Sequence, residues 1–141
     1  MSDPYDLQRF LDAQAPVYDQ ALAELRAGRK TSHWMWFVFP QLKGLGRSET
    51  AKFYAISGAA EAEAYLEHPI LGKRLRDCVE TLLTLPHLSA NEIFDSPDDL
   101  KLHSSLTLFA QVAEAGSVFQ RLLQQLFRGE PDPKTLFALR A

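Results

Sequence analysis

The most informative stretch of the chain for its fold is residues 31–41, TSHWMWFVFPQ. Both tryptophans and two phenylalanines lie within six positions of this run. Side chains this large either fill the centre of a small domain or form one wall of a ligand pocket. His33 and Gln41 flank the run, and each offers a hydrogen-bond donor and an acceptor to the edge of a heterocycle. This favours a pocket in which Trp34 or Trp36 stacks a planar ring.

The aromatic run continues into a basic loop that contains two glycines, KGLGRS at residues 43–48. Backbone N–H groups at a helix start, glycines that admit a close approach, and flanking cations are the components of an anion site. The loop has neither the Walker spacing nor a dinucleotide fingerprint, so an ordinary loop before a capped helix is the alternative. On the anion hypothesis, the contributors are Lys43, Gly44, Gly46, Arg47 and the expected N-cap Ser48.

Outside this stretch, apolar residues recur at spacings of three and four, which predicts helices. After His68-Pro69, one such stripe places Cys78 in the core. Ser96-Pro97-Asp98-Asp99 predicts a helix start capped by Ser96, and Asp132-Pro133 predicts the start of a last short helix. Only residues 37–39 form a run that a strand would suit. We therefore predict an all-α fold, a single domain over residues 1–141 with about seven to nine helices.

Composition restricts the function classes. Hydrophobic residues make up 46% of the 141 and charged ones 23%, which is typical of a soluble globular domain. The net charge of −3 argues against nucleic acid as a partner. No run is long enough to span a bilayer and no signal peptide is visible, so we expect no membrane association. The single cysteine suits a reducing cytoplasm. The four histidines are widely separated, so we predict no metal site and no cofactor.

A third group of polar residues lies in DDLKLHSSLT, residues 98–107. On a helix, Asp98, Lys101 and Ser105 share one face, and Ser104 lies beside them. One interpretation is that Lys101 neutralises an anionic ligand, and the alternative is that it only pairs with Asp98 on a solvated face. A third interpretation is a Ser-Lys dyad with Ser104 or Ser105 as nucleophile, although no nucleophile elbow accompanies it.

The string SHWMWFVFPQLKGLGRS at residues 32–48 resembles the signature of family 1810 of the domains of unknown function. EAEAYL at 61–66, HPILG at 68–72, KLHSSLTLF at 101–109 and DPKTL at 132–136 resemble the same family. The resemblance implies a small all-helical fold found in bacteria and some eukaryotes, and it brings no established reaction. Some relatives bear the label calpastatin, but that type of inhibition relies on disordered, polar repeats. The motifs are also similar to the helical NADAR proteins that act on ADP-ribose derivatives, an analogy at the level of the fold.

Two hypotheses about function follow. The first is a protein, and in one version an enzyme, whose aromatic pocket takes a phosphorylated nucleoside-like molecule such as ADP-ribose or an NAD derivative. Its catalytic candidates are His33 and Glu61, the latter as general acid or base, with an exposed helix glutamate as the alternative. The second is a non-catalytic protein–protein interaction domain with an exposed apolar patch. The candidate ligand-binding residues are His33, Trp34, Trp36, Gln41, Lys43, Gly44, Gly46, Arg47, Ser48, Lys101, Ser104 and Ser105.

Overall fold

A computed structural model of the chain describes residues 3–140. Within those residues it contains ten helices and no strand, which confirms the all-α prediction. The number exceeds the expected seven to nine because three helices are short turns of four or five residues. The helices are α1 (Gln8–Gln14), α2 (Tyr18–Ala27), α3 (Met35–Val38), α4 (Glu49–Phe53), α5 (Ala59–Glu67), α6 (Leu71–Leu83), α7 (Ala90–Phe94), α8 (Asp98–Val112), α9 (Val118–Phe127) and α10 (Pro133–Arg140). None of them combines the length and hydropathy that a membrane span requires.

Helix α8 is the centre of the fold. It packs against α5, α7, α9 and α10, and residues 105–110 are all buried. A helix covered on most sides needs apolar residues around most of its circumference, and Leu106, Leu108, Phe109 and Ala110 provide them here. Asp98 and Asp99 occupy the first turn as expected, but the prediction that Ser96 caps the helix is wrong. The N-cap residue is Pro97, which has no side-chain donor or acceptor.

Helix α6 shows the amphipathic pattern that its sequence predicts. Leu71, Leu75, Cys78 and Leu82 are buried and face α2, α5 and α9. Burial raises the pKa of the Cys78 thiol to about 12, so the thiol stays protonated at neutral pH. The structural role expected for Cys78 is therefore confirmed.

The aromatic run forms one helical turn, α3, rather than a strand. Because residues four apart share a helix face, Trp34 with Val38 and Met35 with Phe39 point into the core. Trp36 lies between these two pairs and is only half-buried. The run therefore contributes both to the core and to the surface.

The loop after α3 is held in place by a short parallel bridge between Leu42 and Ile56. The Ile56 N–H donates to the Gln41 carbonyl, and the Lys43 N–H donates to the Ile56 carbonyl, both at 2.8 Å. In the sequence, α4 lies between the two bridged residues, and its Ala51 N–H donates to Ser48 Oγ at 3.1 Å. The prediction that Ser48 is the N-cap is confirmed, and the bridge and the cap together fix the course of the glycine loop.

Candidate ligand pocket

A pocket of about 600 Å³ lies where the glycine loop, the first turns of α8 and the start of α10 meet. This volume is within the range of small-molecule sites. Its walls are mixed, with an indole ring, three cationic side chains, one carboxylate and one imidazole among them. The lining residues are Trp36, Gln41, Leu45, Gly46, Arg47, Ser48, Ala51, Pro97, Leu100, Lys101, His103, Ser104, Asp132 and Lys134.

Lys101 and Trp36 form the inner wall of the pocket. The Lys101 ammonium lies 4.3 Å from the centroid of the Trp36 ring, which is a cation–π contact. Asp98 Oδ1 lies 3.3 Å from the same ammonium, while Asp98 Oδ2 pairs with Lys30 Nζ at 2.7 Å. The ring and the carboxylate hold the Lys101 charge in position before any ligand arrives.

Arg47 and Lys134 add two cations at the rim of the pocket. Both side chains are exposed, and neither forms an ion pair within residues 3–140. With Lys101 they place three cations against the single carboxylate of Asp132. A chain with a net charge of −3 thus has an excess of positive charge in one concave region, where an anion would be attracted.

Asp132 is held by donors from two helices. Its Oδ2 accepts hydrogen bonds from Thr135 Oγ1 at 2.6 Å, from the Thr135 N–H at 3.2 Å and from Ser104 Oγ at 3.1 Å. The Asp132 N–H donates to Thr107 Oγ1 at 2.8 Å. Asp132 therefore caps α10, as its sequence position predicts, and also joins α10 to α8.

His103 lies beside Ser104 in the pocket wall, and one of its ring nitrogens has a partner. Nε2 lies 2.8 Å from the Glu130 carbonyl oxygen, which only accepts, so Nε2 carries a proton. The ring stacks on Phe127, with centroids 4.1 Å apart and planes at 8°. In the uncharged imidazole this arrangement leaves Nδ1 as an acceptor.

Seven of the predicted ligand-binding residues line this one pocket. They come from two segments that are more than fifty residues apart in the sequence, and the fold brings these segments together. Arg47 and Lys101 supply charge, whereas Gln41 supplies an amide with no side-chain partner within residues 3–140. The seven are Trp36, Gln41, Gly46, Arg47, Ser48, Lys101 and Ser104.

Other predicted residues lie outside the pocket lining. Trp34 is fully buried, and its indole N–H donates to the Glu24 carboxylate at 3.0 Å, so it belongs to the core. His33 is exposed and is absent from the pocket wall. Ser105 is buried, and its Oγ has no hydrogen-bond partner in the described part of the chain. A one-residue step along α8 turns Ser105 towards the core, whereas Ser104 faces the pocket.

The backbone conformation and the packing of the loop explain why positions 44 and 46 are glycine, without reference to a ligand. Gly44 has a φ of +91°, in the left-handed region that favours glycine, and with Lys43 it lines a separate groove beside α10. Gly46 does line the pocket, but a Cβ built on it would lie 2.5 Å from the Ala51 Cβ. Close packing of the loop on α4 therefore requires glycine at position 46, with or without a ligand.

Glu61 lies on α5, away from the pocket and buried. Arg9 pairs with Glu61 Oε2 at 2.8 Å, and Ser57 donates its hydroxyl and its backbone N–H to Oε1. The alternative of an exposed helix glutamate is therefore wrong, and because Glu61 lies outside the pocket lining, the geometry offers no support for its use as a general acid or base there. Arg9 also donates to the backbone carbonyls of Phe53 and Ala55, so the pair joins α1 to the loop that precedes α5.

The sequence analysis missed three polar pocket residues, His103, Asp132 and Lys134. Asp132-Pro133 carried a signal only for a helix start, which does not indicate what else the carboxylate faces. Lys134 follows directly in the first turn of α10. Among residues 3–140, no group of three or more His, Cys, Asp or Glu side chains is placed to hold a metal ion.

The fold and the pocket define a small all-helical protein with a single continuous core and a cationic, aromatic-walled surface pocket. The family described as "Protein of unknown function (DUF1810)" matches residues 4–139, and the chain belongs to this family. A crystal structure of the conserved hypothetical protein Rv1873 from Mycobacterium tuberculosis is similar, with a TM-score of 0.96 and 52% sequence identity over 99% of each chain. Among curated proteins, none matches.

Proposed function

We propose that the pocket binds a phosphorylated, nucleoside-like small molecule, of which ADP-ribose and NAD derivatives are examples. The observation that carries the proposal is the convergence of Trp36 with Arg47, Lys101 and Lys134 around one cavity of about 600 Å³. Ligands that carry both a planar ring and phosphate groups need this combination, because the ring stacks on an aromatic face and the phosphates pair with cations.

The cations have separate parts in this proposal. Arg47 and Lys134 lie at the rim, where a phosphate replaces their hydration shells without breaking an ion pair. Lys101 lies over the Trp36 ring, so a planar ring that stacks on this face moves the ammonium aside, towards the phosphate with which it then pairs. Gln41 supplies one donor and one acceptor for the edge of a heterocycle. Because the catalytic candidates His33 and Glu61 lie outside the pocket lining, the proposal concerns binding alone.

The test is a thermal-shift screen with ADP-ribose, NAD, nucleoside mono- and diphosphates, and inorganic phosphate. A ligand at a hundred times its Kd adds about 2.7 kcal/mol, which raises the Tm of a protein of this size by about 5–10 °C. Lys134→Ala should reduce that shift, because it removes an exposed cation of the pocket. Lys43→Ala is the matched control, since Lys43 is an exposed lysine of the glycine loop that lies outside the pocket lining.

Two results would overturn the proposal. One is the absence of a shift with every compound, in a protein that melts cooperatively. The other is an equal reduction of the shift in Lys43→Ala and Lys134→Ala, which would indicate unspecific attraction between anions and surface lysines.

A second candidate function, a non-catalytic protein interaction domain, is favoured by Phe137. This side chain on α10 is 77% exposed, and it lines two grooves whose walls include Leu42, Leu45 and Ala138. A photo-cross-linking residue at position 137 would capture a partner in cells if this function is correct. The same residue at position 53 is the control, since Phe53 is 58% exposed and lines neither groove.

A further inference from the structure

The pocket contains one residue that a simple anion site would not need. Asp132 places a carboxylate among three cations, where it repels a phosphate. Capping of α10 accounts for only one of its two oxygens. Oδ2 accepts all the side-chain and backbone hydrogen bonds that the carboxylate makes within residues 3–140, and Oδ1 has none. An ionised carboxylate has room for about four hydrogen bonds, so Oδ1 is available to a ligand.

His103 provides a second acceptor in the same part of the pocket. Because Nε2 donates to the Glu130 carbonyl, two residues before Asp132, the ring is fixed and Nδ1 has no partner within residues 3–140. Stacking on Phe127 prevents the ring from turning over easily. The hydroxyl of Ser104, the residue after His103, donates to Asp132 Oδ2. This hydrogen bond joins the part of α8 that carries His103 to the carboxylate.

We infer that the Asp132 carboxylate, assisted by His103, accepts hydrogen bonds from sugar hydroxyl groups, so that the pocket selects a phosphate ester of a hydroxylated sugar over a bare phosphate. This inference rests on the proposed function and names the part of the ligand that function leaves open. Phosphate goes to Arg47, Lys101 and Lys134, and the hydroxyls go to the acceptor side of the pocket. An analogue that lacks a hydroxyl binds less tightly, because it forms one hydrogen bond fewer to this charged acceptor.

Asp132→Asn separates the capping role of this side chain from a role in ligand binding. The cap requires an acceptor where Oδ2 lies, because the Thr135 N–H points there, so an asparagine places its amide oxygen at that position. Its NH₂ group then replaces Oδ1, which changes an acceptor into a donor and removes the negative charge. The hydrogen bonds that cap α10 are kept, and only the group that faces the ligand changes, from a charged acceptor to a neutral donor.

The experiment is isothermal titration calorimetry of the full chain with ribose 5-phosphate, 2-deoxyribose 5-phosphate and inorganic pyrophosphate. We expect the wild type to prefer ribose 5-phosphate over its deoxy analogue by about tenfold, as one hydrogen bond to a charged group predicts. Asp132→Asn should reduce this preference, because a hydroxyl can accept only a neutral hydrogen bond from the new NH₂ group, and it should bind pyrophosphate as tightly as the wild type or more tightly. Asp99→Asn is the matched control, since Asp99 lies in the first turn of α8 and does not line the pocket.

Three other outcomes of the titrations would overturn the inference. Equal affinities for the two sugars in the wild type, or an equal loss for all three compounds in Asp132→Asn, would overturn the inference and leave the proposed function standing. No binding of any of the three would also overturn the inference, whereas the proposed function is tested separately by the thermal-shift screen with ADP-ribose, NAD and nucleotides, which carry the planar ring. If Asp132→Asn does not fold, His103→Phe keeps the ring stack on Phe127 and removes Nδ1, and it should lower only the affinities for the sugars.

Discussion

Trp34 and Trp36 are two residues apart in one helical turn, and the fold treats them in opposite ways. Trp34 is fully buried, and its N–H donates to a carboxylate. Trp36 is half-buried, and its ring face carries the Lys101 ammonium at the pocket wall. The difference shows that the indole N–H needs a partner when it is buried, whereas the exposed ring face can recruit a charge. One side chain stabilises the fold and the other shapes the site.

The partner of Trp34 is Glu24, which is only 8% exposed. Besides the Trp34 N–H, this carboxylate accepts from the Thr31 N–H at 2.8 Å and from the Ser32 N–H at 3.1 Å. The Ser32 hydroxyl and the Gln20 amide donate to its second oxygen. One buried carboxylate therefore ties α2 to the segment that leads into the aromatic run.

Replacing each tryptophan with alanine tests the comparison most strongly. Trp34→Ala removes a fully buried ring and should lower the free energy of unfolding by about 3–5 kcal/mol. Trp36→Ala should lower it by about 1 kcal/mol, because the ring is half-exposed. Urea unfolding followed by far-ultraviolet circular dichroism measures both. Similar losses in the two variants would contradict the division between core and site.

Removing the Glu24 carboxylate should have the next largest effect. Glu24→Ala leaves the buried Trp34 N–H without an acceptor and should lower the free energy of unfolding by about 2–3 kcal/mol. Because Trp34→Phe removes the same hydrogen bond, the two changes together should cost less than the sum of each alone. Glu63→Ala, at an exposed position on α5, is the control and should leave stability almost unchanged. Strict additivity would show that the bond contributes little.

Acid should weaken the stabilisation that the buried Glu24 carboxylate provides around Trp34. Burial raises the pKa of Glu24, but the hydrogen bonds from Ser32, Thr31, Trp34 and Gln20 outweigh burial and lower the pKa from 4.5 to about 2. Because the folded-state pKa lies below the unfolded one, protonation favours the unfolded chain. The stabilisation is present above about pH 4.5 and is lost as the pH falls towards 2.

The pH dependence is measured as the urea midpoint of the wild type and of Glu24→Gln between pH 7 and pH 3. We expect the wild type to lose more stability than the variant over this interval, since the variant has no carboxyl at this position. Parallel curves would show that other carboxylates carry the acid sensitivity.

The smallest expected change in the free energy of unfolding comes from removing the Lys101 ammonium that lies over the Trp36 ring. Lys101→Met removes the cation–π contact and the ion pair with Asp98, and should change the free energy of unfolding by less than about 1 kcal/mol. It should also make Trp36 easier to quench with acrylamide. Trp36→Phe leaves Trp34 as the only tryptophan, and its fluorescence should resist the quencher. Strong quenching in that variant would mean that Trp34 is not enclosed.

Local features of the fold follow from neighbouring residues and were predictable. The spacing of three and four in α6 places Cys78 in the core, and Ser48 caps α4 because its hydroxyl lies three residues before a backbone N–H that needs an acceptor. Ser96 shows the limit of this approach. It also precedes a helix, but the backbone there begins the helix after Pro97, and nothing local in the sequence indicates this.

The candidate site was only partly predictable, because a residue's neighbours along the chain do not reveal what covers it. Ser104 and Ser105 are adjacent, yet one bonds to Asp132 and the other is buried without a partner in the described residues. Glu61 has the sequence context of an exposed helix residue, but Arg9 reaches it across 52 positions of sequence. Such pairings depend on how α1, α5 and α8 pack, which requires the whole chain.

The sequence by itself determined the all-α class, the membership of the family and the presence of aromatic and cationic side chains in residues 31–48. These depend on apolar spacing and on residue types, which are properties of short segments. Only the tertiary structure decided that Trp36 rather than Trp34 faces a pocket, and that side chains from the glycine loop, the first turns of α8 and the start of α10 complete its wall. The physical reason is that helical geometry sets which residues share a face, whereas the burial of that face depends on elements far away in the chain.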